Sequence, residues 1–195
     1  PTPARIDYVR QTYALPERFL LHLSTIEPRK NLMRLLDAFQ ILRNSNPDLH
    51  LLLAGSRGWL FDEFFARIEA EGLQDVVRPL GWVPDEDLPA VIGAAALAVQ
   101  PSLYDGFGLP ILEHMACAQV VAAGNSSSHP EVGGEAAAYF DPTDVEEMAA
   151  VIDRLLTDRD EYRRRQALGL EQAARFSWER AATETAAVYD RLLAR

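Results

Sequence analysis

Two carboxylates and two glycines fall within nine residues of the stretch LYDGFGLPILEHMAC, residues 103–117. Asp105 precedes Gly106 and Gly108, and Glu113 stands eight positions further on (113 − 105). Pro110 has no N–H and a fixed φ, so this spacing predicts a helix that starts beside it. The first N–H groups of a helix have no internal partner and carry the positive end of its dipole. Glycines before them remove the side chains that would keep a ligand away. The amides of Gly108, Leu109, Ile111 and Leu112 therefore suit an anion, above all a diphosphate. A carboxylate beside that anion would repel it. Glu113 is better suited to accept from hydroxyls such as a ribose diol, and Asp105 to accept from a second hydroxylated group. A diphosphate between two polyols is a nucleotide-sugar.

Such a leaving group gains negative charge as its glycosyl bond breaks, and a fixed cation would stabilise it. EPRKN supplies Arg29 and Lys30. Arg57 in GSRGW suits either a phosphate or a structural role, and Arg29 is also placed to pair with Glu27. None of the four histidines forms a pair with metal-ligand spacing. His22 and His50 read as packing or surface residues, whereas His114 and His129 lie near the expected cleft. The serines of GNSSSHPEVGG read as a flexible loop. Met33, Met115 and Met148 read as core, and Cys117 as buried and inert.

Six short apolar runs predict strands over 18–25, 49–55, 76–81, 96–102, 119–124 and 136–142. Helical spacing falls between them, at 31–46, at 59–72 with Gly72 as C-cap, and at 85–94 with Asp85 as N-cap. Three more helices follow near 144–157, 159–175 and 178–193. Ser177 is expected to cap the last one, with Phe176 as an apolar staple. Pro79 assigns the third strand to a sheet edge or a strand end. Continuous rather than alternating apolar strands mean that both sheet faces are covered. The fold class is α/β, a doubly wound, mostly parallel sheet of Rossmann type with C-terminal helices. Ligands in such sheets sit beyond the carboxyl ends of the strands, where Lys30 and residues 102–113 fall.

The chain has 195 residues and a formal net charge of −10, which argues against nucleic acid as the main partner. One cysteine excludes an internal disulfide and fits a reducing, cytoplasmic setting. No run of about 18 apolar residues is present to cross a membrane.

The segment PSLYDGFGLPILEHMACAQVV closely resembles the signature of the retaining glycosyltransferases of family 4, which have the GT-B fold. Their pattern Glu-x-Phe-Gly-Leu-x-x-x-Glu reads here Asp105-Gly-Phe-Gly-Leu-Pro-Ile-Leu-Glu113. STIEPRKNLMRLLDAF, LLLAGSRGW, VRPLGWVPDEDLPAVIGAA, HPEVGGEAAAYFDPTD and FSWERAATETAAVYDRLL resemble further family segments in the expected order, over about residues 10–195.

The resemblance implies the C-terminal, donor-binding lobe of a two-lobed enzyme that is inactive without its partner lobe. Residues 1–17 would be an inter-lobe linker and 18–175 the donor domain. Residues 176–195 would be a helix packing back toward an N-terminal acceptor lobe that precedes this chain. Glu113 would bind the ribose, Asp105 the transferred sugar and Lys30 the diphosphate; Arg29 and Arg57 are further candidates for the phosphates, with covering the helix start open for Arg29 and facing the acceptor lobe open for Arg57. The amides after Phe107, at Gly108 and Leu109, would join Lys30. Trp82 and the backbone of Val83 would border the base. The implied chemistry needs no metal or other cofactor, and any peripheral contact with the inner face of a membrane would come from the other lobe. Two features depart from the pattern. The first acid is aspartate, one methylene shorter than glutamate, and Ser24-Thr25 stands where many relatives carry Gly-Arg. STIEPRKN is closest to mannosyl- and rhamnosyltransferase-like members acting on bacterial polysaccharides, so GDP-mannose is the expected donor. An alternative stays open, a non-catalytic nucleotide-sugar-binding module. A GT-B epimerase or phosphorylase fits less well, for no lysine motif for pyridoxal phosphate is visible.

Overall fold

The computed structural model describes residues 1–193. Six strands form one parallel sheet: β1 Phe19–Leu23, β2 His50–Ala54, β3 Val77–Gly81, β4 Leu97–Gln100, β5 Val121–Gly124 and β6 Ala138–Phe140. Their order is β3-β2-β1-β4-β5-β6. Consecutive strands run outward from β1 in one direction and from β4 in the other, so the order reverses between β1 and β4. That is the topological switch point at which sheets of this kind bind ligands. Pro79 lies in β3, an edge strand, where its missing N–H breaks no ladder.

Both faces are covered, which is why the strands read as unbroken apolar runs. On one side Leu20, Leu51, Leu53, Leu97, Val99 and Ala122 meet α2 (Leu32–Arg43), α3 (Asp62–Ala70) and α7 (Val145–Thr157). The alternate residues Phe19, Leu21, Leu52 and Ala54 meet α1 (Pro3–Thr12) and α4 (Leu88–Ala94) on the other side. Next to them Ala98, Val121 and Ala123 pack with α5 (Leu109–Ala116), α6 (His129–Gly133) and α8 (Arg159–Ala173). Met115 and Met148 are core residues, as expected, and Met33 packs against the core.

Several boundaries differ from the reading of the sequence. Residues 3–12, within the stretch expected to be a linker, form α1. Thr2 caps it, Pro3 opens it, and Val9 is fully buried against α4. The fourth helix begins at Leu88 rather than at Asp85. Asp87 occupies the N-cap position, but its carboxylate is spent on Arg5 (2.5 Å) and the Tyr13 hydroxyl (2.7 Å), both from the α1 segment. The third helix starts at Asp62; Leu60, in the left-handed region at φ +50°, turns the chain before it. Gly72 follows its end with φ +65°, as the C-cap reading requires. Cys117 is half-buried and takes the C-cap position of α5 rather than lying inside the helix. Ser177 Oγ accepts from Arg180 N at 3.1 Å, capping α9 (Trp178–Leu193), while Phe176 turns instead onto Phe107. No residue of α9 is buried; residues 194–195 lie outside the described residues.

Candidate functional site

The loops after β1 and β4 meet at the switch point. A 3₁₀ turn at Pro28–Lys30 follows β1. Asn31 then takes a left-handed conformation (φ +60°), and its amide donates to Pro101 O at 3.0 Å and Pro142 O at 2.6 Å. Leu103 N donates to Arg29 O at 2.9 Å. The loop after β2 is held just as firmly. A Cβ on Gly55 would lie 2.0 Å from Ser24 O, so only glycine allows the two backbones to approach this closely.

This framework brings Lys30 to Asp105, 75 residues away. Lys30 Nζ donates to Asp105 Oδ1 at 2.6 Å, and both side chains are more than nine-tenths buried. The Arg29 guanidinium reaches the same oxygen, Tyr104 O at 3.0 Å and Glu27 Oε1 at 2.5 Å. Asp105 Oδ2 meets His129 Nε2 at 3.0 Å. Burial by itself would raise the Asp105 carboxyl. Hydrogen bonds from His129 and Lys30, and the Lys30 charge, outweigh it and hold the group well below the usual carboxylate range. The buried Ser102 hydroxyl meets no partner at hydrogen-bond geometry.

The serine-rich segment is not the flexible loop its composition suggests. Ser127 Oγ donates to Asp105 O at 2.8 Å and accepts from Asp105 N at 2.9 Å. Ser128 Oγ donates to the same carbonyl at 2.9 Å, and Ser126 Oγ to Ser102 O at 2.7 Å. Three consecutive hydroxyls thus fix the backbone around the first acid. A serine run carries no sign of which backbone it will bond, so these roles were hidden in the sequence.

Gly108 is the N-cap of α5, at φ +92°. A Cβ there would lie 3.2 Å from the His129 ring, whereas one on Gly106 would meet nothing. Among the described residues no group accepts the N–H of Gly108 or Leu109, so both amides stand free for an anion. The Ile111 amide, expected beside them, instead bonds Gly108 O at 3.0 Å. Glu113 lies on the exposed side of α5. Loss of solvation first, and the nearby Asp85 charge second, push its carboxyl above the ordinary range. The two motif acids thus occupy opposite environments, one gripped by cations and one facing another carboxylate.

The other expected residues divide. Val83 is buried beneath α4, beside the exposed Trp82. Arg57 stacks on Phe61 and Phe65, 5.4 and 4.5 Å from the ring centroids, a structural arrangement. Phe107 packs edge-to-face on Phe176 at 6.0 Å and lines a groove of about 750 Å³ with Leu109, Leu112 and Trp178. His22 and His114 are fully buried. Desolvation lowers them to about 4 and about 3, so both rings are neutral at pH 7. His50 bonds Asp48 O at 3.0 Å, a local contact. Among the described residues no three His, Cys, Asp or Glu side chains are grouped to hold a metal ion, and no helix is long and apolar enough to cross a membrane.

Comparison with known proteins adds four matches. The family described as "Glycosyl transferases group 1" matches residues 9–172. The chain is 42% identical over 190 residues to the O-antigen chain mannosyltransferase B of Escherichia coli, covering 96% of this chain and 50% of that protein. It is 36% identical over 194 residues to the serotype-specific mannosyltransferase WbdA of Escherichia coli, covering 97% of this chain and 24% of that protein. Among solved structures, Anabaena HepE, crystallised in complex with UDP and glucose, superposes with a TM-score of 0.84 over 97% of this chain and 53% of that one, at 22% identity. That likeness establishes a shared fold. The chain spans about half the length of the first relative and about a quarter of the second.

Proposed function

The chain belongs to the glycosyl transferases of group 1, and from that membership we propose that it is the donor-binding lobe of a retaining hexosyltransferase. The donor is a nucleotide-diphosphate sugar, and GDP-mannose is the first candidate because both curated relatives above are named mannosyltransferases. The acceptor is a hydroxyl of a growing polysaccharide or glycolipid. It is bound by a second lobe, against which the exposed apolar residues of α9 would pack.

One observation carries this reading. Lys30 and Arg29 converge on Asp105 Oδ1 at the carboxyl ends of β1 and β4, in the loop that leads within three residues to the open amide of Gly108. The Asp105 carboxylate occupies that point. A diphosphate would draw Lys30 and Arg29 onto its own oxygens, and Asp105 Oδ1 would become free to accept from a sugar hydroxyl. As the bond from the anomeric carbon to the diphosphate oxygen breaks, charge builds on that oxygen. Preset cations and amides stabilise it without reorganising. The new bond to the acceptor oxygen forms on the same face, and the acceptor proton passes to the departing diphosphate oxygen. Glu113 accepts from the ribose hydroxyls at the far side of the helix start.

Calorimetric titration of this chain with GDP, UDP, ADP and TDP, then with the sugar form of the best binder, tests the proposal. Selective binding of GDP that Glu113→Ala weakens supports it. Tighter binding of UDP would replace the guessed donor. If no diphosphate binds, either to this chain or to the chain joined to its second lobe, the proposal falls.

A further inference from the structure

Of the three fully buried histidines, His129 differs from the other two in what its nitrogens face. His22 Nδ1 lies 2.9 Å from Val99 O and Nε2 lies 2.6 Å from the Ser24 hydroxyl, which rotates between Thr25 O at 2.9 Å and this nitrogen and so has a proton to give. His114 Nε2 lies 3.3 Å from the Gln100 amide nitrogen, a donor, and Nδ1 has no partner. A neutral ring, with one N–H and one lone pair, suits both. His129 Nδ1 lies 3.1 Å from Gly124 O, which can only accept. Its Nε2 lies 3.0 Å from Asp105 Oδ2. The other oxygen of Asp105 already receives the Lys30 ammonium and the Arg29 guanidinium, so the group is a carboxylate and also only accepts. A ring with a single proton would set a nitrogen lone pair against an oxygen lone pair inside the core. We infer that His129 is an imidazolium and is the positioning residue for Asp105, its Nε2–H fixing Oδ2 while Lys30 and Arg29 hold Oδ1.

The surrounding charges fit. Asp105 comes from the loop after β4, Lys30 and Arg29 with Glu27 from the turn after β1, His22 from β1, and Tyr139 from β6, its hydroxyl donating to His129 O at 3.2 Å. On α6 itself Glu131 is exposed. Three cations, Lys30, Arg29 and His129, face two anions, Asp105 and Glu27. The cluster therefore keeps one net positive charge where the diphosphate is placed. Two charge-assisted hydrogen bonds offset the cost of burying the ring. Gly108 leaves no room on the ring's α5 side, so the imidazolium and the helix start are held as one unit.

The charge state is read from geometry alone; its consequence rests on the donor-site reading above. When a diphosphate draws Lys30 and Arg29 away, His129 is the partner that keeps Asp105 ionised and aimed at the sugar.

Nitrogen-15 NMR of the histidine-labelled chain at pH 7 tests the charge state, with His129→Gln identifying the signal. The expected spectrum shows both His129 nitrogens protonated, in contrast to His22 and His114, and Asp105→Asn removes that signature. A singly protonated His129 in the unliganded chain overturns the inference, even if GDP binds normally. If the imidazolium is present but no nucleotide binds, the positioning role stands and the donor reading fails. In the chain that binds GDP, His129→Gln is expected to weaken the sugar form about tenfold more than GDP itself, the share of one charge-assisted hydrogen bond. A merely structural residue would weaken both alike.

Discussion

Lys30 Nζ sits 2.6 Å from Asp105 Oδ1, a buried ion pair joining the turn after β1 to the loop after β4. The pair links donor recognition to stability, because neither charge can lose the other without a cost inside the fold. From the sequence Lys30 reads as a ligand for the diphosphate, with no part in holding the fold assigned to it. Its burial changes that expectation.

Lys30→Met is expected to lower unfolding stability by about 2 kcal/mol, since Arg29 and His129 remain to hold the orphaned carboxylate. Lys30→Met with Asp105→Asn should cost less than the sum of the two single changes. Urea unfolding of the four chains closes this cycle, and simple additivity would show that the two side chains are not coupled.

Glu113→Ala should separate binding from folding. The side chain is exposed, so stability should move by less than about 0.5 kcal/mol. Affinity for a nucleoside diphosphate should fall about tenfold through the lost ribose bonds, as calorimetry would register. The same affinity should also weaken on acidification, because the raised Glu113 carboxyl takes up a proton before ordinary glutamates do.

Acid should destabilise the chain in two windows. His22 and His114 are lowered to about 4 and about 3 in the fold, while an unfolded histidine titrates near 6.5. Below pH about 6.5 the unfolded chain binds protons that the folded chain refuses, so stability falls as pH drops. Each ring contributes on the order of 3 kcal/mol by pH about 4. Asp105, held below its ordinary value, stabilises the fold above pH about 4, and that share is lost only in stronger acid. His114→Leu, which also removes the unpartnered Nδ1, should flatten the slope between pH 7 and 5 in urea unfolding. An unchanged slope would mean that the ring is protonated in the fold.

Gly108→Ala should cost about 1–3 kcal/mol, because φ +92° strains any other residue and the new methyl would press on His129. Thermal unfolding checks this, and Gly106→Ala, whose added methyl meets no neighbour, is the control.

Much of the fold was legible. The six strands read correctly because a strand covered on both faces is apolar along its whole length. The helix at Leu109 read correctly because Gly108 and Pro110 punctuate it locally. By contrast α1 is polar on most of its surface, with Val9 its one buried residue, so no apolar stripe announced it; Thr2-Pro3 was the available signal. The five residues of α6 are too few to show a period. Asp85 and Asp87 are chemically equal candidates for one cap, and the Arg5 and Tyr13 side chains that engage Asp87 come from a helix more than 70 residues earlier.

The sequence by itself determined what is local: a bare turn, an open helix start, two acids eight positions apart and an Arg-Lys pair after the first strand. Only the tertiary structure decided that Asp105 is held by Lys30, Arg29 and His129 while Glu113 faces Asp85. The physical reason is strand order. The neighbours β1 and β4 are not consecutive in the chain, and α5 separates β4 from β5, yet their parallel pairing sets the three carboxyl ends side by side. Side chains 75 and 24 residues from Asp105 thereby come within hydrogen-bond distance, and spacing along a chain carries no record of which ends will meet.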